Sequence, residues 1–132
     1  MDGKQLVRDI YEMINSRDYG RVRELIHEDY VDHGGEDGQA HGPQGFLDNI
    51  SDAFSEPHTE IDLLIVEGDF AAWRSTFTGV HTGELMGLPP TGRRVSIEFL
   101  NIGRMKDGKA IEHWGAPDVG DVMEQLGVAQ AD

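Results

Sequence analysis

The segment that decides the fold is FLNIGRMKDGKAIEHWGAPDVGDVMEQLG, residues 99–127. It begins as a strand, and Asp107-Gly108 is a strong signal for a tight hairpin turn. The returning strand ends in His113-Trp114. Asp118 then precedes a short apolar helix that Gly127 is placed to terminate. The segment therefore predicts a lone carboxylate beside an imidazole and an indole at the end of a sheet.

Upstream of this segment, the spacing of apolar residues changes from a helical to an alternating pattern. Helices are predicted over residues 4–17 and 21–27 and from Pro43 to Phe54, with a brief extended piece at Tyr30–His33 and a loop at Gly34–Gly42. Strands are predicted over 59–66, 70–81, 93–105 and 110–114. Helices followed by hairpin-connected strands indicate an α+β fold, in which a curved antiparallel sheet carries three N-terminal helices on its concave face.

Composition narrows the function classes. The 132 residues suit one domain, 1–132, and a formal net charge of -14 disfavours nucleic acid and acidic membranes as partners. The absence of cysteine removes disulfides, thiolate nucleophiles and zinc–thiolate sites. We see no signal peptide or membrane-spanning run, and we expect a cytoplasmic protein.

Four ordered stretches resemble the SnoaL-like polyketide cyclases of the nuclear-transport-factor-2-like superfamily. They are Tyr30-Val31-Asp32-His33, the strand–loop–strand GVHTGELMGLPPTGR of residues 79–93, Glu112-His113-Trp114 followed by Asp118, and Gln125-Leu126-Gly127. The resemblance implies a cone-like α+β barrel, a homodimer or higher oligomer, and no cofactor. It also implies intramolecular aldol closure of an aromatic polyketide ester, a small hydrophobic carbonyl compound.

The resemblance implies that Asp118 is the catalytic acid/base and that His33 helps in the pocket. Aldol closure needs a proton taken from carbon and a proton given to the new alkoxide, and one carboxylate can do both. A dry, aromatic setting raises the pKa of such a carboxyl towards working pH, and Trp114 is the predicted source of that setting. The chain departs from the family at the glycine- and acid-rich residues 34–38, which we expect to border the pocket entrance.

Donors must also stabilise the enolate. Beside His33, the candidates are His81, Asn101 and Arg74, which together with Trp114 form the predicted substrate-binding set. Arg74 and His81 lie an odd number of residues apart, so one regular strand points only one of them inward unless a bulge at Gly79 intervenes.

Each of these residues also has a purely structural interpretation. Asp118 could cap the last helix, and Arg74 could form a surface ion pair. His33 could be a hydrogen-bonded core or loop residue, and His81 could anchor the loop that follows it. Asn101 could satisfy backbone groups, and Trp114 could be a wall or core residue. A metal site from Asp32, His33, Glu36, Asp37 and His41 matches no known ligand spacing, and we predict no metal.

Two other functions stay open at the level of sequence. The same cavity could serve a non-catalytic protein that binds a small hydrophobic ligand, or another lyase, hydrolase or isomerase could use the same carboxylate. An enclosed cavity with Asp118 pointing into it would favour catalysis.

Overall fold

The first helix begins where Asp2 caps it, its carboxylate accepting a hydrogen bond from the backbone N–H of Gln5 at 2.8 Å. The computed structural model describes residues 2–35, 38–85 and 87–127. The helices are α1 (Gly3–Ser16), a 3₁₀ turn (Tyr19–Arg21), α2 (Val22–Leu25), α3 (Gly42–Asp48) and α4 (Val119–Gln125). The strands are β1 (Ile26–Gly35), β2 (Gly38–His41), β3 (Phe54–Glu67), β4 (Phe70–His81), β5 (Arg94–Lys106) and β6 (Lys109–Pro117).

The six strands form one sheet in the order β2-β1-β6-β5-β4-β3. The β5–β6 hairpin turns at Asp107 and Gly108, whose φ angles of 54° and 74° confirm the predicted tight turn. The sheet is antiparallel, as predicted, except at one pair: β1 runs parallel to β6, and Asp32 lies opposite His113. This parallel pair brings an early strand beside the segment that closes the sheet.

Strand pairing overrides helical spacing around residue 26. The helix predicted over 21–27 ends at Leu25, because Ile26 takes an extended conformation and pairs with Ala110 of β6. Ile26 is 1% exposed, so its burial in the sheet stabilises this choice. The predicted piece Tyr30–His33 is accordingly the middle of a ten-residue strand.

The third helix is also shorter than predicted. It ends at Asp48, and Phe54 opens β3, which continues through Pro57. A register shift between Ser55 and His58 and a φ of 51° at Glu56 mark a bulge there. A bulge tolerates proline because its position makes no ladder hydrogen bond, so Pro57 interrupts the strand pairing without ending the strand.

One face of the sheet, here called the inner face, packs against the helices. Along β4 the buried residues alternate as Ala71, Trp73 and Ser75, and α1 covers this part with Val7 and Tyr11. A second core lies beneath α4 and contains Val95, Ile97, Val122 and Leu126. The side of the sheet that faces away from the helices is the outer face.

The segment 34–42, predicted as a loop, contributes the last two residues of β1, all of β2 and the first residue of α3. Glu36 and Asp37, on which the expected border of the pocket entrance depends, lie outside the described residues. Within the described ranges, no helix combines the length and apolar character needed to cross a bilayer.

Candidate active site

A largely apolar cavity of about 190 Å³ lies between α1, α3 and the inner face of the sheet. Its apolar lining includes Leu6, Ile10, Phe46 and Met105. Its polar lining includes Tyr11 of α1, Asp32 of β1, His113 of β6 and Asn49, which follows the end of α3. An apolar chamber with a few convergent polar groups is the usual form of a small-molecule site.

Asp32 and His113 are the central polar pair of this cavity. They lie opposite each other on the parallel strands β1 and β6, with 3.3 Å between Asp32 Oδ1 and His113 Nδ1. Asp32 is 7% exposed, and its Oδ2 accepts hydrogen bonds from the Tyr30 hydroxyl and the Asn49 amide, each at 3.2 Å. The carboxylate is therefore held in place while its strand position directs it into an apolar chamber.

The other ring nitrogen of His113 contacts Asn101. His113 Nε2 lies 3.1 Å from Asn101 Oδ1. Gly115 permits this approach, because a Cβ at that position would lie 2.9 Å from His113 Cε1 and 3.2 Å from Asn101 Oδ1. The imidazole is thus fixed from both sides.

Two tyrosines supply hydroxyl groups near this pair. Tyr11 lines the cavity from α1, and its hydroxyl accepts a hydrogen bond from Trp73 Nε1 at 2.9 Å. Burial raises the pKa of Tyr11 above 10.0. Burial and the negative charge of Asp32 raise the pKa of Tyr30 far above the same value. Both hydroxyls therefore stay protonated and can donate hydrogen bonds.

His33 and Trp114 lie on the outer face, one residue out of phase with Asp32 and His113. Their rings stack at 4.9 Å with an interplanar angle of 11°. His33 Nε2 also lies 2.6 Å from Glu112, which Arg104 holds at 2.8 Å. The Arg104 guanidinium, followed by the His33 hydrogen bond, lowers the pKa of the Glu112 carboxyl. Hydrogen bonding of His33 is confirmed, and it occurs in this surface cluster.

Arg74 and His81 lie on opposite faces of β4. The pairing of β4 with β5 is unbroken from Phe70 to Val80, so no bulge between these strands reconciles the two residues. Arg74 forms the surface ion pair considered above, with Asp62 at 2.9 Å. His81 is fully buried and anchors its loop, because its Nδ1 accepts a hydrogen bond from the Thr91 backbone N–H at 3.2 Å.

Asp118 lies at the far end of β6, next to α4. Its carboxylate caps that helix by accepting a hydrogen bond from the Asp121 backbone N–H at 3.0 Å, so the capping role is confirmed. The side chain is exposed. None of Asp118, His33, Arg74, His81, Asn101 and Trp114 lies among the described residues that line the cavity. Their predicted roles in catalysis and substrate binding stay predictions.

Sequence reasoning did not select Asp32, His113, Asn49, Tyr11 or Tyr30. The alternation of side chains along β1 does indicate Asp32. Ile26, Tyr30 and Asp32 are separated by even numbers of residues and therefore point to the same face of the strand, and Ile26 and Tyr30 are core residues. In β6, the buried Ile111 indicates by the same rule that His113 faces inward.

Across the described ranges, no cluster of three or more histidine and carboxylate side chains could hold a metal ion. Glu36 and Asp37 of the alternative metal set lie outside those ranges.

Comparison with known proteins identifies the family. The family model of the SnoaL-like polyketide cyclases matches residues 4–126. The chain is 34% identical to the aklanonic acid methyl ester cyclase of Streptomyces peucetius over 128 residues, covering 92% of this chain and 88% of that protein. It is 34% identical to the nogalonic acid methyl ester cyclase of Streptomyces nogalater over 123 residues, covering 87% and 92% of the two chains.

A solved structure agrees with this match. The crystal structure of wild-type IdmH from Streptomyces antibioticus superposes with a TM-score of 0.83 at 33% identity, over 97% of this chain and all of that one. The shared architecture is the α+β fold expected from the sequence, with the mixed sheet described above. The chain therefore belongs to the SnoaL-like polyketide cyclase family, and it is a polyketide cyclase-like enzyme.

Proposed function

We propose that this protein closes a ring in the methyl ester of an aromatic polyketide acid by intramolecular aldol addition, with Asp32 as the acid/base. The observation that carries the proposal is a hydrogen-bonded pair, the buried Asp32 and the partly buried His113, in a largely apolar cavity. Two relatives of similar length are named as cyclases of such esters: one of aklanonic acid methyl ester and one of nogalonic acid methyl ester. The apolar lining suits an aromatic ring system.

In the proposed reaction, Asp32 takes a proton from the carbon next to the ester carbonyl. The resulting enolate attacks a ketone or aldehyde carbon of the same molecule, forming one carbon–carbon bond and an alkoxide. Protonated Asp32 returns its proton to that alkoxide, so substrate and product are isomers. His113, in its protonated form, places positive charge beside the developing anion, which a low-dielectric cavity makes effective.

Tyr11 is the proposed donor to the enolate oxygen. Its hydroxyl oxygen already accepts the Trp73 indole proton, so its own proton can be donated to Ser75 or to a ligand. Because burial raises the pKa of Tyr11, the hydroxyl holds that proton throughout the working pH range. A neutral donor opposite a carboxylate base also operates in ketosteroid isomerase.

The direct test is turnover of aklanonic or nogalonic acid methyl ester, followed by chromatography and NMR because product and substrate have equal mass. We expect ring closure by the wild type and a loss of about 10³-fold in kcat for Asp32→Asn, which keeps the shape of the side chain. Ligand-induced thermal stabilisation of the wild type without product would instead indicate a binding protein. Full activity of Asp32→Asn would overturn the assignment of the base.

We further propose that the outer face mediates homodimer formation. Ile65, Ala72, Ile102 and Trp114 lie side by side across four strands, and Leu63 and Leu100 flank them. Leu63, Ile65, Leu100 and Ile102 are between 49% and 66% exposed. A continuous apolar patch on a charged protein favours an interface, here with a second copy.

Light scattering tests the dimer. We expect a mass near twice 14.6 kDa at micromolar concentration for the wild type and a monomer for Ile102→Lys. Val119→Glu is the matched control, since Val119 is an exposed apolar residue of α4 outside the patch. A monomeric wild type would contradict the proposal.

We also infer that the protein acts in the cytoplasm without a resident cofactor. A chain without cysteine forms no disulfide, so its folding does not require an oxidising compartment. Aldol closure only relocates a proton and joins two carbons of one molecule, so acid/base groups of the protein suffice for it.

A further inference from the structure

We propose that Asn101 is a positioning residue that fixes a proton on Nε2 of His113 and thereby reserves Nδ1 for exchange with Asp32. This inference rests on the proposed function, because it explains how the pair is prepared for proton transfer. It assigns Asn101 a role behind the imidazole rather than against the substrate. The assignment depends on which end of the Asn101 amide faces His113.

Neighbouring groups determine that orientation. Asn101 Nδ2 lies 3.0 Å from Ser75 Oγ, 3.3 Å from the Trp73 carbonyl oxygen and 3.4 Å from the Phe99 carbonyl oxygen. A carbonyl oxygen only accepts hydrogen bonds, so the NH₂ group must point towards these atoms. The reversed amide would place its oxygen against two carbonyl oxygens. Asn101 Oδ1 therefore faces His113.

The orientation of the amide decides the protonation of the imidazole. An amide oxygen is an acceptor, so His113 Nε2, 3.1 Å away, must carry a hydrogen. Nδ1 then has two states opposite Asp32: protonated beside a carboxylate, or unprotonated beside a carboxylic acid. Both states place the same single proton between Asp32 and Nδ1. The competing state, a neutral imidazole with its hydrogen on Nδ1, would leave Nε2 and Asn101 Oδ1 as facing acceptors.

The buried setting makes this constraint strong. Asn101 is 5% exposed and Ser75 is 2% exposed, so water does not readily replace a lost partner. Gly115 lets the imidazole lie close to the amide, because a Cβ at this position would contact both groups. The backbone of β4 and β5 thus holds the amide, and the amide holds the imidazole.

Nitrogen-15 NMR of the ligand-free protein tests this directly. The His113 signals, among those of six histidines, are assigned by their loss in His113→Gln. We expect Nε2 to carry a hydrogen in the wild type at every pH at which the protein is folded. In Asn101→Leu, which removes the acceptor, neutral His113 should move its hydrogen to Nδ1, where Asp32 accepts it. An unprotonated Nε2 in the wild type, or an unchanged tautomer in Asn101→Leu, would overturn the proposal.

Two further variants guard against a fold defect. Ser75→Ala removes one partner of the amide but leaves the two carbonyl oxygens, so Nε2 should keep its hydrogen. If Asn101→Leu does not fold, Asn101→Val removes the same acceptor with a smaller, β-branched side chain, and its neutral His113 should likewise carry the hydrogen on Nδ1. Loss of the Nε2 hydrogen in Ser75→Ala, or its retention on neutral His113 in folded Asn101→Val, would count against the proposal. In turnover, Asn101→Leu should lower kcat at least tenfold with KM nearly unchanged. The tautomer is read without substrate, so a failure of the proposed function and a failure of this inference are separate results.

Discussion

The inner and outer faces of β1 and β6 carry similar chemistry in opposite surroundings. On the inner face, Asp32 and His113 meet in a largely apolar cavity, where Tyr30, Asn49 and Asn101 hold the pair by hydrogen bonds. On the outer face, one residue along each strand, His33 pairs with Glu112 and stacks on Trp114. A carboxylate beside an imidazole is thus not a catalytic signal by itself. The surroundings, which strand parity selects, decide whether the pair can act on a hydrophobic substrate.

The largest expected difference between the faces is kinetic. His113→Gln should lower kcat by roughly 10²- to 10³-fold, because it removes the charge beside the enolate. His33→Gln, the matched outer-face change, should leave kcat within about threefold of the wild type, since His33 does not line the cavity in which the reaction is proposed to occur. Steady-state turnover of both variants measures the contrast. Equal losses would remove the distinction between the two faces.

A smaller effect is expected at the proposed oxyanion donor. Tyr11→Phe should lower kcat by about 10²-fold while substrate binding changes little, because its hydroxyl is proposed to act mainly in the transition state. The phenylalanine ring preserves the edge contact with Trp73, whose centroid lies 6.1 Å away. A loss confined to KM would show that the hydroxyl binds substrate without stabilising the enolate.

Asp118, at the end of β6, allows the effect of a residue outside the cavity on stability and turnover to be compared with that of the cavity residues. Asp118→Ala should reduce the free energy of unfolding by about 1 kcal/mol through loss of the helix cap, and Asp118→Asn should restore most of it. Urea denaturation measures both. We expect kcat of either variant to stay within about twofold of the wild type. A large loss of turnover in the stable Asp118→Asn variant would support the role that the family resemblance implies.

The smallest effect concerns alkaline pH. The folded protein raises the pKa of Tyr30, so the unfolded chain loses this proton first, near pH 10, and stability must fall as pH rises. Between pH 9 and 11 this one group should remove about 1.4 kcal/mol of unfolding free energy. In Tyr30→Phe the unfolding free energy should fall less steeply over this pH range. At pH 7 this variant should be less stable than the wild type, because it lacks the hydrogen bond to Asp32. Identical slopes would contradict the burial of this hydroxyl.

Much of the fold could be predicted from sequence. The Asp2 cap, the Asp107-Gly108 turn and the alternating strands β4 and β5 are encoded by local chemistry. The misplaced ends arise where tertiary pairing outweighs local preference. Ile26 leaves a helical pattern to pair with β6, and Pro57 is accommodated by a bulge that no local rule anticipates. The parallel contact of β1 with β6 joins segments about 80 residues apart, beyond the reach of periodicity.

The site was harder to predict because it depends on parity at two distant strands. The stretches Tyr30–His33 and Glu112–Trp114 contain residues of both faces, and the predicted site residues within them, His33 and Trp114, lie on the outer face. Core residues of the same parity, Tyr30 and Ile111, identify Asp32 and His113 as the inward members. The sequence predicts Asn101 as a donor to the enolate, and in the structure its amide contacts His113 and the Trp73 carbonyl oxygen. These contacts depend on how the strands pair, which the local sequence does not reveal.

The most direct test of the account is exchange of the substrate's α-proton with deuterium from solvent. A methyl ester that lacks the electrophilic carbonyl cannot cyclise, so NMR of its α-carbon isolates proton removal. We predict rapid exchange with the wild type and Asp118→Asn, and exchange at the background rate with Asp32→Asn. Exchange that persists in Asp32→Asn and disappears in Asp118→Asn would contradict the account.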